Sequence, residues 1–164
     1  MSKIVVAMSG GVDSSVAALI LKEQGHDLLG VSMQVWDYRR NGGCSTRATC
    51  CSPDDFTDAR QVAGRIGIPY YVFDFEKRFE SEVINRFINE YQIGLTPTPC
   101  VECNNKVKFR ALRERAEQIG CEALATGHYA QVELHDGKYR LLRSVDSAKD
   151  QSYFLYGLTQ KDLA

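Results

Sequence analysis

Apolar runs of strand length alternate along this chain with stretches whose apolar residues recur at helical spacing. Lys3-Ile4-Val5-Val6-Ala7-Met8 reads as a buried strand. Val12 to Gln24 reads as an amphipathic helix with Val16, Leu19, Ile20 and Leu21 at helical spacing, stopped by Gly25. A second strand runs from Leu28 to Trp36, and a polar, glycine- and cysteine-rich loop follows from Asp37 to Ser52. Pro53 with Asp54 and Asp55 opens a helix to about Ile66, which Gly67 and Pro69 close. Tyr70 to Phe75 is a third strand, and Phe79, Val83, Phe87 and Tyr91 share one face of the next helix. The stretch Gly94-Leu95-Thr96-Pro97-Thr98-Pro99 is expected to be irregular, because two prolines remove donors and restrict their predecessors. A helix over roughly Asn104 to Ile119 leads to a short fourth strand, Ala123 to Thr126. Ala130 to Leu134 and Tyr139 to Arg143 flank an Asp-Gly turn and read as a hairpin.

Strands alternating with helices predict an α/β fold: a doubly wound, mostly parallel, Rossmann-like sheet with a small β-hairpin near the C-terminus. Such sheets bind ligands at the carboxyl ends of their strands. The loops after Met8, Trp36, Phe75 and Thr126 therefore hold the candidate chemistry. The composition of 164 residues, 44% hydrophobic and 25% charged, suits one soluble domain. A net charge of −1 gives the whole chain no attraction to a polyanion, which leaves local basic patches to supply it. No apolar stretch reaches bilayer length, and the N-terminal run is too short for a signal peptide. Both point to a cytoplasmic protein with no membrane partner.

The first loop reads Ser9-Gly10-Gly11-Val12-Asp13-Ser14-Ser15 between a buried strand and a helix. A helix N-terminus offers unpaired amides and the positive end of the helix dipole. Glycines admit an anion close to the backbone, and the hydroxyls of Ser9, Ser14 and Ser15 add donors. The plain alternative is a tight strand-to-helix turn with a serine cap, which a bare Gly-Gly would favour. Neither the Walker pattern with its lysine nor the GxGxxG fingerprint is present, so this is a phosphate cradle of another kind.

Six cysteines are present. Cys44, Cys50 and Cys51 share the polar loop, Cys100 and Cys103 form a CxxC, and Cys121 stands alone beside a strand, where burial is expected. Without a secretory signal, CxxC indicates catalytic, redox or metal chemistry before a structural disulfide. Lys106, Lys108, Arg110, Arg113 and Arg115 form a basic run, which Glu114 and Glu117 interrupt as on an ordinary solvated helix face. Tyr153, Phe154 and Tyr156 suit base stacking, although aromatics at this spacing more often fill a core.

SGGVDSS resembles the PP-loop of the ATP pyrophosphatases, which cleave ATP between the α and β phosphates and transfer AMP. Gly94 to Asn104 followed by Lys106-Val107-Lys108-Phe109 resembles the GxTPNPxxxCNxxxKF stretch of the tRNA-specific 2-thiouridylases. Ala125-Thr126-Gly127-His128-Tyr129 and Lys149-Asp150-Gln151-Ser152-Tyr153-Phe154-Leu155-Tyr156 match their ATGHY and KDQSYFLY, and Cys50-Cys51-Ser52 resembles a CCS segment of some members. The resemblance covers essentially the whole chain.

It implies an adenine nucleotide alpha hydrolase-like domain over residues 1–164 and ATP-dependent thiolation of a tRNA wobble uridine. The uridine C2 oxygen is adenylated, and a cysteine persulfide or hydrosulfide displaces AMP. ATP and Mg²⁺ are the implied cofactors. By the same carry-over Ala7, Met8, Ser9, Gly10, Gly11, Val12, Asp13 and Ser14 meet ATP, with Met33 and Ala125 to Gly127 on the adenosine side. Asp13, Cys100 and Cys103 are the implied catalytic residues, Cys103 the sulfur-carrying one, activated by the start of the following helix and by Lys106 and Lys108. Thr98, Pro99 and Cys100 would meet the flipped base, and His128, Lys149, Asp150 and Gln151 the tRNA. The implied partners are tRNA of the Lys, Glu and Gln type and a sulfur-relay protein or cysteine desulfurase.

Two departures qualify the resemblance. The family carries aspartate where Cys100 stands and asparagine where Thr98 stands, and a thiol does not take over a carboxylate's role. Cys100 and Cys103 instead suit a disulfide-forming redox pair or iron–sulfur ligation, which asks for a third cysteine; Cys44, Cys50 or Cys51 would supply it, or bind zinc with the pair. Members of the family are also much longer, with a second catalytic cysteine further on. The chain is accordingly expected to lack the central and C-terminal tRNA-binding domains, to bind ATP and to thiolate little by itself. Two other readings stay open: another PP-loop adenylating enzyme, and a CxxC metal or iron–sulfur redox module.

Overall fold

A computed structural model describes residues 2–36 and 53–164. Four strands form one parallel sheet: β1 (Lys3–Ala7), β2 (Asp27–Gln34), β3 (Tyr70–Asp74) and β4 (Ala123–Thr126), in the order β3-β2-β1-β4. In register, Ala7 lies opposite Val31 on one side and Thr126 on the other. Two further strands, β5 (Ala130–His135) and β6 (Lys138–Arg143), pair as an antiparallel hairpin. Its turn places Asp136 at φ 48° and Gly137 at φ 74°, the left-handed pair that a two-residue hairpin turn requires.

Period-two alternation divides the core. Ile4, Val6, Met8 and Leu28 face one side, where they meet Ala18 of α1 (Val12–Glu23) and Ala59 and Ala63 of α2 (Pro53–Ile66). Val5, Leu29, Val31 and Met33 face the other, against Val83, Val107, Leu112, Ala116 and Cys121. That second layer is built from two composite helices. One comprises α3 (Glu76–Phe79), a π-helical turn Glu80–Ile84 and α4 (Asn85–Gln92). The other comprises α5 (Pro99–Glu102), a π-helical stretch Cys103–Ala111 and α6 (Leu112–Gln118). Wide helical turns of this kind are frequent at functional sites.

Three expectations change. The irregular Gly94-to-Pro99 stretch ends earlier than predicted, because Pro99 opens α5 as its first residue, where a missing N–H costs nothing. On α1 the buried residues are Ser14 and Ala18, whereas Val16, Leu19 and Ile20 are exposed. Small side chains let the helix lie close on the sheet, and this turns the larger apolar residues outward. Tyr153 and Tyr156, for which core packing is the commoner role and base stacking the alternative, are exposed with ring centroids 6.0 Å apart; Leu155 between them is buried. Two short 3₁₀ turns, Ser147–Lys149 and Ser152–Leu155, and α7 (Gln160–Leu163) follow the hairpin. Among the described residues no helix is long and apolar enough to cross a membrane.

Candidate active site

After β1 the chain passes to β2 and β3 on one side, then returns to lay β4 on β1's other side. The sheet's switch point thus lies between β1 and β4, and the loops after these strands open into one crevice. Residues 8–11 and 127–129 form it.

The first loop is shaped by its serines. The Ser14 hydroxyl is buried, accepts the Ser9 N–H at 3.2 Å and donates to the Gly11 carbonyl at 3.1 Å. The Ser15 hydroxyl donates to the same carbonyl at 2.9 Å. These two hydroxyls, expected as phosphate donors, are therefore spent on the turn itself. Among the described residues the first-turn amides of the helix are not. Gly11 is the N-cap of α1 and provides no side-chain cap, so the first-turn N–H groups have no intrahelical acceptor. Gly10 has φ 79°, and a Cβ there would lie 2.6 Å from the Asp55 carbonyl oxygen. Glycine is needed at Gly10 both for the conformation and for the contact with α2.

Met8 and Met33 have their side chains in the core, 3% and 7% exposed. The Met8 backbone is committed as well, its N–H to Val31 and its carbonyl to the Ser32 hydroxyl. The two side chains lie on opposite faces of the sheet, Met8 packed with Ile4, Val6 and Leu28 and Met33 with Val5, Leu29 and Val31. Ala7 ends β1 below the crevice, and Ser9 and Val12 are exposed at its rim.

The second loop is pressed onto the first. A Cβ on Gly127 would lie 2.6 Å from the Ser14 backbone nitrogen and 2.7 Å from the Asp13 carbonyl carbon. His128 turns inward: its Nδ1 is 2.8 Å from the Thr126 hydroxyl and its ring 5.8 Å from that of Phe109. Burial, helped by the nearby Lys108 cation, lowers its pKa to about 4, so the ring is neutral at neutral pH. His128 also lines a cavity of about 450 Å³ between β4, the hairpin, α6 and α7. The Tyr129 hydroxyl donates to Asp13 Oδ1 at 3.0 Å.

The Lys149–Gln151 stretch divides its labour. Asp150 accepts from the Ser144 N–H at 2.9 Å and the Ser152 hydroxyl at 2.8 Å. These bonds, that from Ser144 foremost, hold its carboxyl below the usual range. Gln151 accepts the Tyr129 N–H through Oε1 and donates its own N–H to the Tyr129 carbonyl. Only Lys149 is exposed, its ammonium 5.2 Å from the Tyr129 ring centroid.

Thr98, Pro99 and Cys100 are exposed at the start of α5. Because the helix begins at Pro99, Cys100 sits at the helix N-terminus and Cys103 one turn further in, half-buried against the Val5–Val31–Met33 cluster. That reverses the expected placement, in which the helix started after Cys103. Asn104 is buried, and its Nδ2 donates to the Phe154 carbonyl at 3.4 Å. Sequence reasoning gave Asn104 and Tyr129 no role; both tie one motif to another, which only their position in a shared CxxCN or GHY string hinted at. In the basic run, Arg113 pairs with Asp162 at 2.7 Å, Arg110 lies 3.8 Å from Glu114, and Arg115 stacks on Phe73. Lys106 and Lys108 form no ion pair among the described residues. Cys121 is buried, and burial pushes its thiol pKa up. Cys44, Cys50 and Cys51 lie outside the described residues.

A parallel sheet with an amide-lined loop at its switch point is a nucleotide-binding architecture, and comparison with known proteins gives the family. Residues 2–164 match the family described as the tRNA methyl transferase HUP domain, and the chain belongs to it. It is 55% identical to a tRNA-specific 2-thiouridylase MnmA of Geotalea uraniireducens, over 99% of this chain and 44% of that protein. It is 56% identical to the protein of that name from Geobacter metallireducens, over 99% of this chain and 45% of the relative. The chain thus spans under half the length of these relatives. A glutamine-dependent NAD⁺ synthetase from Acinetobacter baumannii shares the fold, with a TM-score of 0.53 at 20% identity over 77% of this chain and 22% of that one.

Proposed function

We propose that the protein uses ATP to replace the C2 oxygen of a tRNA wobble uridine with sulfur. The observation that carries this reading is the amide-lined, lysine-free loop at the β1/β4 switch point, in a chain that also presents Cys100 and Cys103 on one helical turn. The family description speaks of methyl transfer and the relatives' names of thiolation. The cysteine pair favours sulfur, since a methyl donor leaves it without a task.

On this reading the first-turn amides of α1 hold the β and γ phosphates as a leaving group. The uridine O2 attacks the α phosphorus; that bond forms, the bond to the bridging oxygen breaks, and pyrophosphate departs. The terminal sulfur of a Cys103 persulfide then attacks C2, the C2–O bond breaks, and AMP leaves. Cys100, three residues earlier on the helix, attacks the Cys103 sulfur; the S–S bond to the base breaks, 2-thiouridine is released and a Cys100–Cys103 disulfide remains. An external thiol reduces it, and a sulfur-relay protein or cysteine desulfurase reloads the persulfide. Cys100 thereby has a task of its own, thiol chemistry that an aspartate at that position does not perform.

Asp13, an exposed carboxylate beside the phosphate-binding amides, fits Mg²⁺, which is held by one or two carboxylates together with substrate phosphates. Bound there, the ion supplies neutralising charge for the departing pyrophosphate. Among the described residues no group of three or more ligating side chains converges, and the third cysteine that an iron–sulfur cluster asks for, Cys44, Cys50 or Cys51, lies outside them.

For tRNA, Lys149 supplies the exposed cation and Tyr153 and Tyr156 the stacking surfaces, with Thr98, Pro99 and Cys100 at the target base. His128, being neutral, contributes shape and hydrogen bonding. The substrates are tRNAs of the Lys, Glu and Gln type, and the site of action is the cytoplasm. The test is 2-thiouridine formation by the complete protein from MgATP, a persulfide donor and a tRNA transcript. Cys103→Ser is expected to abolish the product while ATP affinity stays unchanged. AMP release driven by a small acceptor without tRNA would favour another adenylating enzyme.

A further inference from the structure

Tyr129 stands where three motifs meet. Its hydroxyl donates to Asp13 on the first turn of α1, its backbone N–H and carbonyl are both bonded to Gln151, and its ring carries Lys149. Two residues earlier, Gly127 is in contact with the backbone of the same first turn, so the 127–129 segment is clamped between residues 13–14 and 149–151. Asp13 and Tyr129 are 116 residues apart in sequence. Nothing in the local chain makes them neighbours; the fold does.

Asp13 is a negative charge at the mouth of an anion-binding helix end. A polyphosphate approaching it is repelled unless the carboxylate is turned towards a cation and held there. The Tyr129 hydroxyl fixes that rotamer by occupying one oxygen. The tyrosine is itself fixed by groups that face solvent at Lys149, where an RNA phosphate would reach first. We infer that Tyr129 is a positioning residue that couples the Lys149–Gln151 segment to Asp13, so that tRNA bound at the former tightens MgATP at the latter. This deepens the function proposed above and depends on it. The sign follows from pre-organisation: the first ligand orders the clamp, and the second binds to a site already ordered. Reciprocity requires ATP to tighten tRNA by the same factor.

The experiment measures the affinity of the complete protein for a non-cleavable α,β-methylene ATP, with Mg²⁺, in the absence and presence of a saturating tRNA transcript. Tyr129→Phe keeps the ring, its stacking with Lys149 and both backbone bonds, and deletes one hydroxyl. Wild type is expected to bind the analogue about 5-fold more tightly with tRNA than without, the lower end of ordinary coupling between sites. Tyr129→Phe is expected to lose that tightening while its unfolding temperature and its affinity for tRNA alone stay unchanged. A purely structural role for Tyr129 would lower the unfolding temperature and leave the ratio intact. Wild-type binding of both ligands without coupling, or a Tyr129→Phe protein that keeps the full ratio, overturns the inference alone. Failure of wild type to bind the analogue or tRNA at all overturns the functional reading with it.

Discussion

His128 provides a quantitative check on the packing of the second loop. Its ring is held against Phe109 and the Thr126 hydroxyl, and burial brings its pKa to about 4 from the usual 6.5. As pH falls below 6.5 the unfolded chain takes up a proton that the folded chain refuses until about pH 4. The stability due to a neutral His128 is therefore complete above pH 6.5 and is lost progressively down to about pH 4. At 1.36 kcal/mol per pH unit the full loss is about 3 kcal/mol, of which about 2 kcal/mol has gone by about pH 5. Glu114, Asp150 and Asp162 have depressed pKa values, and their contributions fade only below the ordinary carboxylate range. The comparison is urea unfolding of wild type and His128→Gln at about pH 7.5 and pH 5. His26 and His135 are common to both proteins and cancel. Wild type should lose about 2 kcal/mol more than the variant between the two pH values. An equal pH dependence, or a midpoint between about 6 and 7 for the His128 imidazole itself in an NMR titration, would refute the placement of the ring.

Two further outcomes follow from the loops. Gly127→Ala forces a Cβ to within 2.6 Å of the Ser14 backbone nitrogen, where no flexible side chain is available to yield. It should cost about 1–3 kcal/mol in urea unfolding, as overpacking does, and weaken ATP binding because the first turn of α1 shifts. Lys149→Ala should lower the salt dependence of tRNA binding by roughly one in the log–log slope, with little effect on ATP affinity without tRNA.

Much of the scaffold was legible because buried strands announce themselves. The buried run Ile4-Val5-Val6 reads directly as a strand, and so does the less buried Ala123–Thr126 segment; their order in the sheet does not, because it rests on pairings between residues far apart in sequence. Helix faces were less legible. Val16, Leu19 and Ile20 have the spacing of a core stripe, yet α1 is anchored by the buried Ser14 hydroxyl and turned by the loop before it. A pattern carries no information about such a rotation. The site shows the same division. SGGVDSS gave the loop and its anion-binding end, but not that Ser14 and Ser15 donate to Gly11. The KDQ string does not tell that Asp150 and Gln151 also have partners inside the fold, or that Lys149 is the exposed member of the three. A motif string records that residues matter together. Whether each faces a ligand or a neighbour depends on contacts such as Tyr129 with Asp13, made across the whole chain.

On the proposed function the lysine-free loop releases pyrophosphate in order to activate a base for sulfur. The most direct measurement follows the nucleotide and nucleoside products of one reaction, with the complete protein, MgATP, a persulfide donor and a tRNA transcript. AMP and pyrophosphate should appear one-to-one with 2-thiouridine, and Cys103→Ser should form none of the thiolated base. ADP and orthophosphate as products, or thiolation that proceeds without ATP cleavage, would contradict it.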